Sequence, residues 1–395
     1  MKTIKDIAIT DKTVFIRVDF NVPMDENQNI TEDTRIRTVL PTLEYALSQN
    51  AKIILASHLG RPKGKRVPEM SLAPAAAHLS KLVNKEVKMA PDCIGEDVKK
   101  MVSAMKNGDI LLLENLRYYD QEQANDAEFG KQLGSLCDVY INNAFAVSHR
   151  VHASVGAITD FVNECGAGLL LQKEIDYYNK AMDNPERPLL AIVGGAKISS
   201  KLAALENMLN KVDKVIIGGA MANTFLKSQG VDVGASMVED DILETAAEVM
   251  KTAKSKGIDF YIPVDVVAGE KFDKDAATKV VSINDIPEGW TALDIGSETL
   301  SMYSDVVASS KTIVWNGPMG VFEMDAFCKG TMGLAEKVAN SDALTIIGGG
   351  DTDAAVHKAG VQDKMSYIST GGGAFLTLME GKTLPGVTFL DKEEA

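Results

Sequence analysis

Cysteine is scarce in this 395-residue chain. The four, Cys93, Cys137, Cys165 and Cys328, are widely scattered, with no C-x-x-C pair and no tight Cys/His cluster. A disulfide framework and a structural zinc site are therefore excluded as expectations, and the chain suits a reducing cytosol. Aromatic residues make up 6% and hydrophobic residues 45%, a globular balance without a disorder bias. Positive charge is in deficit: 41 basic groups face 55 acidic ones, a formal net of −14. Such a surface argues against general binding to nucleic acid or an anionic membrane, both of which need a positive field. It leaves room for an anionic small molecule if basic residues gather locally. No apolar run approaches the ~20 residues of a membrane span. The N-terminal stretch "MKTIKDIAITDKTVFIRVDF" has no signal-type apolar core. The chain reads as soluble and cytoplasmic.

Familiar nucleotide fingerprints are missing as well. There is no G-x-G-x-x-G and no G-x-x-x-x-G-K-[ST], and the "GKT" at Gly381–Thr383 has Leu376 where the motif requires glycine. A Walker-type nucleoside triphosphatase and a dinucleotide dehydrogenase both lose ground. A non-catalytic sugar- or nucleotide-binding module remains as a rival reading at this point.

What is present is an alternation. Short β-branched runs recur at 13–20, 52–58, 109–115 and 138–145, then at 189–195, 214–219, 259–265, 311–317 and 343–350. Most are continuously apolar, the mark of strands buried on both faces of a parallel sheet. Helical patterns lie between them, such as "RIRTVLPTLEYALSQN" and "DILETAAEVMKTAKSKG", the second closing on a C-cap glycine. The length favours two cores. The expected fold is α/β: two doubly wound, Rossmann-like parallel-sheet domains joined by a helix, with a cleft between them. The junction falls around 165–188, giving a first domain over 1–168, an interdomain helix and hinge over 169–187, and a second domain over 188–379.

In open α/β sheets ligands lie beyond the carboxyl ends of the strands, so the residues after each run carry the argument. In the first half these are Asp19 and Asn21, His58 and Arg61, Arg117, and His149 with Arg150; Arg35 opens the first helix. Any one of them could be an ordinary solvated side chain. Their recurrence at one sheet edge, in an acidic chain, points to a multiply anionic substrate, because Arg meets carboxylate and phosphate oxygens bidentately.

The second half uses glycine. "VGGAKISSK" carries Lys197 and Lys201, which four-residue spacing would put on one helical face. "IGGAMANTF", "WNGPMGVFE" ending in Glu323, "IGGGDTDAAVHKAG" with Asp351 and Thr352, and "STGGGAFLTLMEG" with Gly371, Gly372 and Gly373 follow later strands. Glycine turns admit a ligand close to the backbone, and helix starts offer N–H donors to phosphate. Asp351 suits Mg²⁺ bridging phosphate oxygens. A cationic pocket and a nucleotide-phosphate pocket together suggest a two-domain transferase that closes a cleft.

The segments "RVDFNVP", "SHLGRP", "LLENLRYY", "NNAFAVSHR", "GGAKISSK", "VWNGPMGVFE", "IGGGDT" and "STGGGAFLTLMEGKTLPGV" occur in this order from residue 17 to residue 387. They resemble the phosphoglycerate kinase family. The resemblance implies reversible phosphoryl transfer from the acyl phosphate of 1,3-bisphosphoglycerate to MgADP, giving 3-phosphoglycerate and MgATP. It implies a hinge-bending monomer whose C-terminal tail, about 380–395, packs back on the first domain. It assigns Asp19, Phe20, Asn21, Arg35, His58, Leu59, Gly60, Arg61, Arg117, His149 and Arg150 to the phosphoglycerate. Gly195, Lys201, Gly219, Gly296, Asn316, Glu323 and Gly349, Gly350, Asp351 and Thr352 go to the nucleotide, with Glu323 at the ribose and Asp351 at the metal. Arg35, Lys197, Lys201 and the three glycines 371–373 would serve the transferring phosphoryl group. His58 and His149 are expected as hydrogen-bonding groups, not phosphohistidine nucleophiles. Four positions depart from the family pattern: Asn143 for Asp, Ala146 for Gly, Ala220 for Gly, and Asn223 for an aromatic residue.

Overall fold

The computed structural model describes residues 1–391. Two compact units divide the chain: Met1–Ile175 together with the segment that begins at Thr383, and Asp176–Lys382. Residues 392–395 of the expected tail lie outside the described residues.

The first unit is built on six parallel strands: β1 (Thr13–Arg17), β2 (Lys52–Ala56), β3 (Val87–Met89), β4 (Ile110–Leu112), β5 (Val139–Asn142) and β6 (Glu164–Ala167), in the order β3-β4-β2-β1-β5-β6. All five residues of β1 are buried, which is why its run is apolar without alternation. The chain goes from β1 outward through β2 and later returns to β5 on the other side of β1. The crevice of this sheet is therefore at the carboxyl ends of β1 and β5. The segment after Thr383 belongs to this unit: Gly386 N–H donates to Ser148 O at 2.8 Å, and Asn142 Nδ2 donates to Gly386 O at 3.0 Å.

The second unit has β7 (Leu189–Val193), β8 (Lys214–Ile217), β9 (Asp259–Tyr261), β10 (Asp265–Gly269), β11 (Thr278–Ser282), β12 (Thr291–Ile295), β13 (Thr312–Asn316), β14 (Leu344–Gly348) and β15 (Tyr367–Ile368). Six of them form a second parallel sheet, β15-β14-β13-β7-β8-β9. Its order reverses between β7 and β13.

Two local expectations fail, at 259–265 and at 35–50, and two further features escape the sequence pattern. The run at 259–265 is not one strand: it stops at Tyr261, and Asp265 opens β10 in a separate antiparallel sheet, β11-β10-β12. Pro263, which has no N–H to give a ladder, lies in the break. That sheet has no forerunner in the sequence pattern, since β11 is exposed along most of its length. The edge strands β3 and β6 are three and four residues long and escape a periodicity argument. The stretch after Arg35 is two helices, Thr34–Arg37 and Leu40–Ser48, with Pro41 in the first turn of the second, where its missing N–H costs nothing. The interdomain helix runs Leu169–Met182, and Gly257 closes helix Leu243–Ser255 at φ 70°, as a C-cap glycine should.

At the start of β10, Asp265 caps helix Ser297–Ala308, which follows β12. Its buried carboxylate accepts from the N–H groups of Glu298 at 3.0 Å and Thr299 at 2.7 Å, and from Thr299 Oγ1 at 2.6 Å. Asp265→Ala should lower the stability of this unit by about 2 kcal/mol, since it leaves a helix start uncapped and three donors without their charged acceptor. Both tryptophans, Trp290 and Trp315, lie in this unit. Urea unfolding followed by tryptophan fluorescence should show an earlier transition in the variant; an unshifted curve contradicts the assignment.

Candidate active site

In the first unit the turn after β1 is anchored by Phe20, fully buried, whose N–H donates to Ser57 Oγ at 2.7 Å. Asp19 then closes on its own chain, accepting from Asn21 N–H at 3.0 Å through one oxygen and from Arg35 Nη1 at 2.7 Å through the other. Asn21 Oδ1 accepts from Gly60 N–H at 2.8 Å, and Gly60 O accepts from Arg117 Nη1 at 2.8 Å. Gly60 sits at φ 62°, a conformation that a side chain would strain, so glycine is needed here. Asn115 pins Leu59 from both sides, donating to its carbonyl at 2.7 Å and accepting from its N–H at 3.2 Å. These bonds bring Asp19, Phe20, Asn21, Arg35, Leu59, Gly60 and Arg117 into one connected set.

The set is short of negative charge. Arg117 is buried, its Nε has no hydrogen-bond partner, and burial beside Arg17 and Arg150 pulls its pKa down to about 10. His58 is also buried; desolvation and the cations Arg17, Arg117 and Arg35 hold it well below the usual histidine range, so it is neutral. Burial and Arg150 likewise lower His149, whose Nε2 accepts from Arg150 Nε at 3.1 Å. Arg61 and Arg150 are exposed. Cations that depress one another's protonation mark a pocket an anion would relieve.

In the second unit the glycine turns touch one another. A Cβ added at Gly219 would lie 2.5 Å from Gly195 N, and one at Gly317 would lie 2.1 Å from Gly194 O. These contacts sit at the reversal between β7 and β13. There Lys201 Nζ donates to Gly194 O at 2.7 Å, to Asn316 O at 3.0 Å and to Asn316 Oδ1. Asn316 Nδ2 in turn donates to Gly348 O at 3.0 Å. Thr352 Oγ1 accepts from Gly317 N–H at 2.7 Å and donates to Gly348 O at 2.9 Å, tying the β13 and β14 turns together.

Two helix starts meet beside this knot. Gly349, at φ 92°, caps helix Gly350–Lys358, and Gly371 caps helix Gly372–Met379. A Cβ on Gly372 would lie 3.0 Å from Gly349 Cα and 3.5 Å from Gly350 N. The opening N–H groups of a helix lack partners within it, so the positive ends of two helices converge on one spot. Asp351 is exposed on the first turn of one of them. Among the described residues no group of three or more His, Cys, Asp or Glu could hold a metal. An exposed carboxylate beside two helix starts has the chemistry to take Mg²⁺, which keeps water and phosphate oxygens as its other ligands.

The structure corrects one sequence expectation and recasts another. Lys197 does not share a helical face with Lys201: the helix begins at Leu202, and Lys197 is exposed in the preceding loop. Gly296 lies where a Cβ would meet the Asp265 carboxylate at 2.2 Å, so that helix start already has its anion. Glu323 is exposed after β13. Of the four departures, Asn143 is buried and accepts from Thr42 Oγ1 and Leu170 N–H, both at 3.0 Å, which caps the start of helix Leu169–Met182. Asn223 is buried and donates to Met237 O at 3.4 Å. Sequence reasoning missed Arg17, Glu122, Ser154 and His152, a buried polar cluster behind His58. The one available signal was a charged residue inside the apolar run "VFIRVDF".

The sequence model of the phosphoglycerate kinase family matches residues 4–382. The chain is 61% identical over 385 residues to phosphoglycerate kinase of Geobacter metallireducens, covering 98% of this chain and 97% of that one. The solved phosphoglycerate kinase structure from Coxiella burnetii is similar with TM-score 0.90 at 42% identity, covering 98% of both chains. That from Pyrococcus horikoshii gives 0.85 at 30% identity, covering 99% of this chain and 98% of that one.

Burial lowers Lys201 to about 8, with Asp351 acting in the opposite direction. A lowered lysine loses its proton early, and an anion beside it restores the charged form. Lys201, labelled at its ε-carbon, should titrate near pH 8, while an ordinary surface lysine titrates near ~10.4. Millimolar pyrophosphate should move that midpoint upward. A midpoint insensitive to the anion places Lys201 outside the phosphate site.

Proposed function

The chain belongs to the phosphoglycerate kinase family, and on that premise we propose the residues by which it works. It is a phosphotransferase with a carboxyl group as acceptor. The reaction is the reversible transfer of the acyl phosphate of 1,3-bisphosphoglycerate to ADP, giving 3-phosphoglycerate and ATP. The observation that carries the residue assignment is a division of labour. One unit holds a crowd of cations at its strand ends, with Asp19 as the carboxylate that orients Arg35, and the other holds two converging helix starts with a lysine.

A triose bearing a phosphate and a carboxylate suits the first set. Arg117, with an unused Nε–H in a dry setting, and the exposed Arg61 and Arg150 supply the charge. Asn21, neutral His58 and Asp19 supply hydrogen bonds to hydroxyl and carboxylate oxygens. Nucleotide phosphates suit the second set: the N–H groups over Gly349–Thr352 and Gly371–Gly373, and Lys201 released from its turn. Gly195, Gly219, Asn316 and Glu323 complete the nucleotide assignment, with Glu323 toward the ribose, and Gly296, whose helix start Asp265 already caps, enters it as backbone wall and not as a phosphate donor.

In the ATP-forming direction a β-phosphate oxygen of ADP attacks the acyl phosphorus. The new P–O bond forms as the bond to the carboxyl oxygen breaks, and the carboxylate departs with its electron pair. That leaving group needs no general base. The protein's part is alignment and neutralisation of charge on the three equatorial oxygens. Arg35, held by Asp19 but still 35% exposed, is oriented and reachable for that role. Lys197, in its exposed loop, is free to approach the same oxygens. Mg²⁺, when bound at Asp351, supplies a further charge on the nucleotide phosphates. Burial of His58, with Nδ1 facing Arg17 at 3.4 Å, supports a binding role over a covalent one. Direct transfer requires the two bound substrates to meet, so closure about the hinge belongs to the proposal, as do a monomeric state and a cytoplasmic setting. Among the described residues no helix is long and apolar enough to cross a membrane.

Coupling 3-phosphoglycerate and ATP to NADH oxidation tests the assignment. Wild type should turn over. Arg35→Ala should fold normally and lose on the order of 10²–10³ in kcat; a wild-type kcat removes Arg35 from the reacting oxygens. Gly372→Ala should crowd Gly349 and weaken MgADP binding about tenfold with little change in Tm. Unchanged affinity by calorimetry contradicts a cradle at these two helix starts.

A further inference from the structure

Beside His58 lies an ionic chain buried from solvent. Glu122 is fully buried; its two oxygens accept from Ser154 Oγ–H at 2.6 Å and Ser154 N–H at 2.9 Å. Ser154 Oγ accepts from Arg17 Nε at 2.7 Å. Arg17, also fully buried, donates through Nη1 to Val18 O, and its Nη2 lies 3.9 Å from Glu122 Oε1 and 3.4 Å from His58 Nδ1. His152 Nδ1 is 3.9 Å from the same Glu122 oxygen. Arg17 is joined to Ser154 across 137 residues of sequence, and Ser154 to Glu122 across 32.

We propose that Glu122 is a positioning residue: through Ser154 and Arg17 it holds His58 as the tautomer with its proton on Nε2, a donor turned toward the phosphoglycerate. The chemistry runs one way. An arginine N–H can only donate, so the His58 nitrogen it faces must be the acceptor. Asp19 Oδ1, at 3.8 Å from His58 Nδ1, is too distant to claim a proton there. The guanidinium holds this place because Glu122 balances it. Without that carboxylate Arg17 would be a buried cation among Arg117, His58 and His152, an arrangement that proteins do not tolerate unpaired. Ser154 fixes the direction of the guanidinium, since its hydroxyl proton is committed to Glu122 and its lone pair to Arg17 Nε. The inference rests on the phosphoglycerate reading of this pocket.

The test is imidazole ¹⁵N spectroscopy of wild type, Glu122→Gln and Ser154→Ala, with steady-state kinetics on the same samples. Wild-type His58 should show a protonated Nε2 and a bare Nδ1. Glu122→Gln should mix the two tautomers and raise KM for 3-phosphoglycerate about tenfold, the weight of one hydrogen bond to a charged group. KM for ATP should stay within about twofold, and kcat should fall less than the KM rises. Ser154→Ala should act in the same direction by a smaller factor. Wild-type His58 carrying its proton on Nδ1 overturns the proposal whether or not the variants fold. So does Glu122→Gln with an unchanged tautomer and unchanged KM. A wild type that binds no 3-phosphoglycerate and transfers no phosphoryl group defeats the functional reading instead, and the assay alone registers that result.

Discussion

Parallel hydrogen bonding between strands that are dry on both faces is the constraint behind both units. Such strands have no room for polar side chains along their length, so polar chemistry collects where they end. In the first unit β1 is fully buried and ends in Arg17, with Asp19 and Asn21 just beyond. In the second, β7 and β13 are buried throughout and end at the turns that hold Lys201. The reversal of strand order then decides which ends share a crevice.

The two edges solve the anion problem with different materials. The first uses side chains, and pays with burial, and then with crowded cations, both of which lower His58 and Arg117. The second uses backbone: Gly194, Gly219 and Gly317 are packed so closely that no Cβ fits at any of the three. Glycine there serves packing first. A separate approach, of Gly372 to Gly349, brings together the starts of helices Gly350–Lys358 and Gly372–Met379. Lys201 shows the balance, because its three N–H bonds are satisfied by Gly194 and Asn316. A phosphate must replace those oxygens with stronger, charged acceptors.

The parts of the fold legible in the sequence were those with a strong period or a strong stop. The central strands and the helix closing at Gly257 read correctly because an apolar run or a glycine cap is a local signal. The sheet β11-β10-β12 did not, because its outer strand is exposed and the Pro263 break was read through. The helix assumed to carry Lys197 begins five residues later, after a loop tethered by Ser199 to Glu239. Spacing alone could not reveal that tether.

By itself the sequence determined the fold class, the family and the residue types lining each strand end, because burial pattern, glycine turns and ordered motifs are written locally. Only the tertiary structure decided which of those residues meet. It put Asp19 on Arg35, Gly372 against Gly349, and Asp265 on the helix after Gly296. It also brought Glu122 and Ser154 to Arg17 behind His58. The reason is physical: a buried charge chooses its partner by distance and desolvation in three dimensions, and neither quantity has a counterpart along the chain.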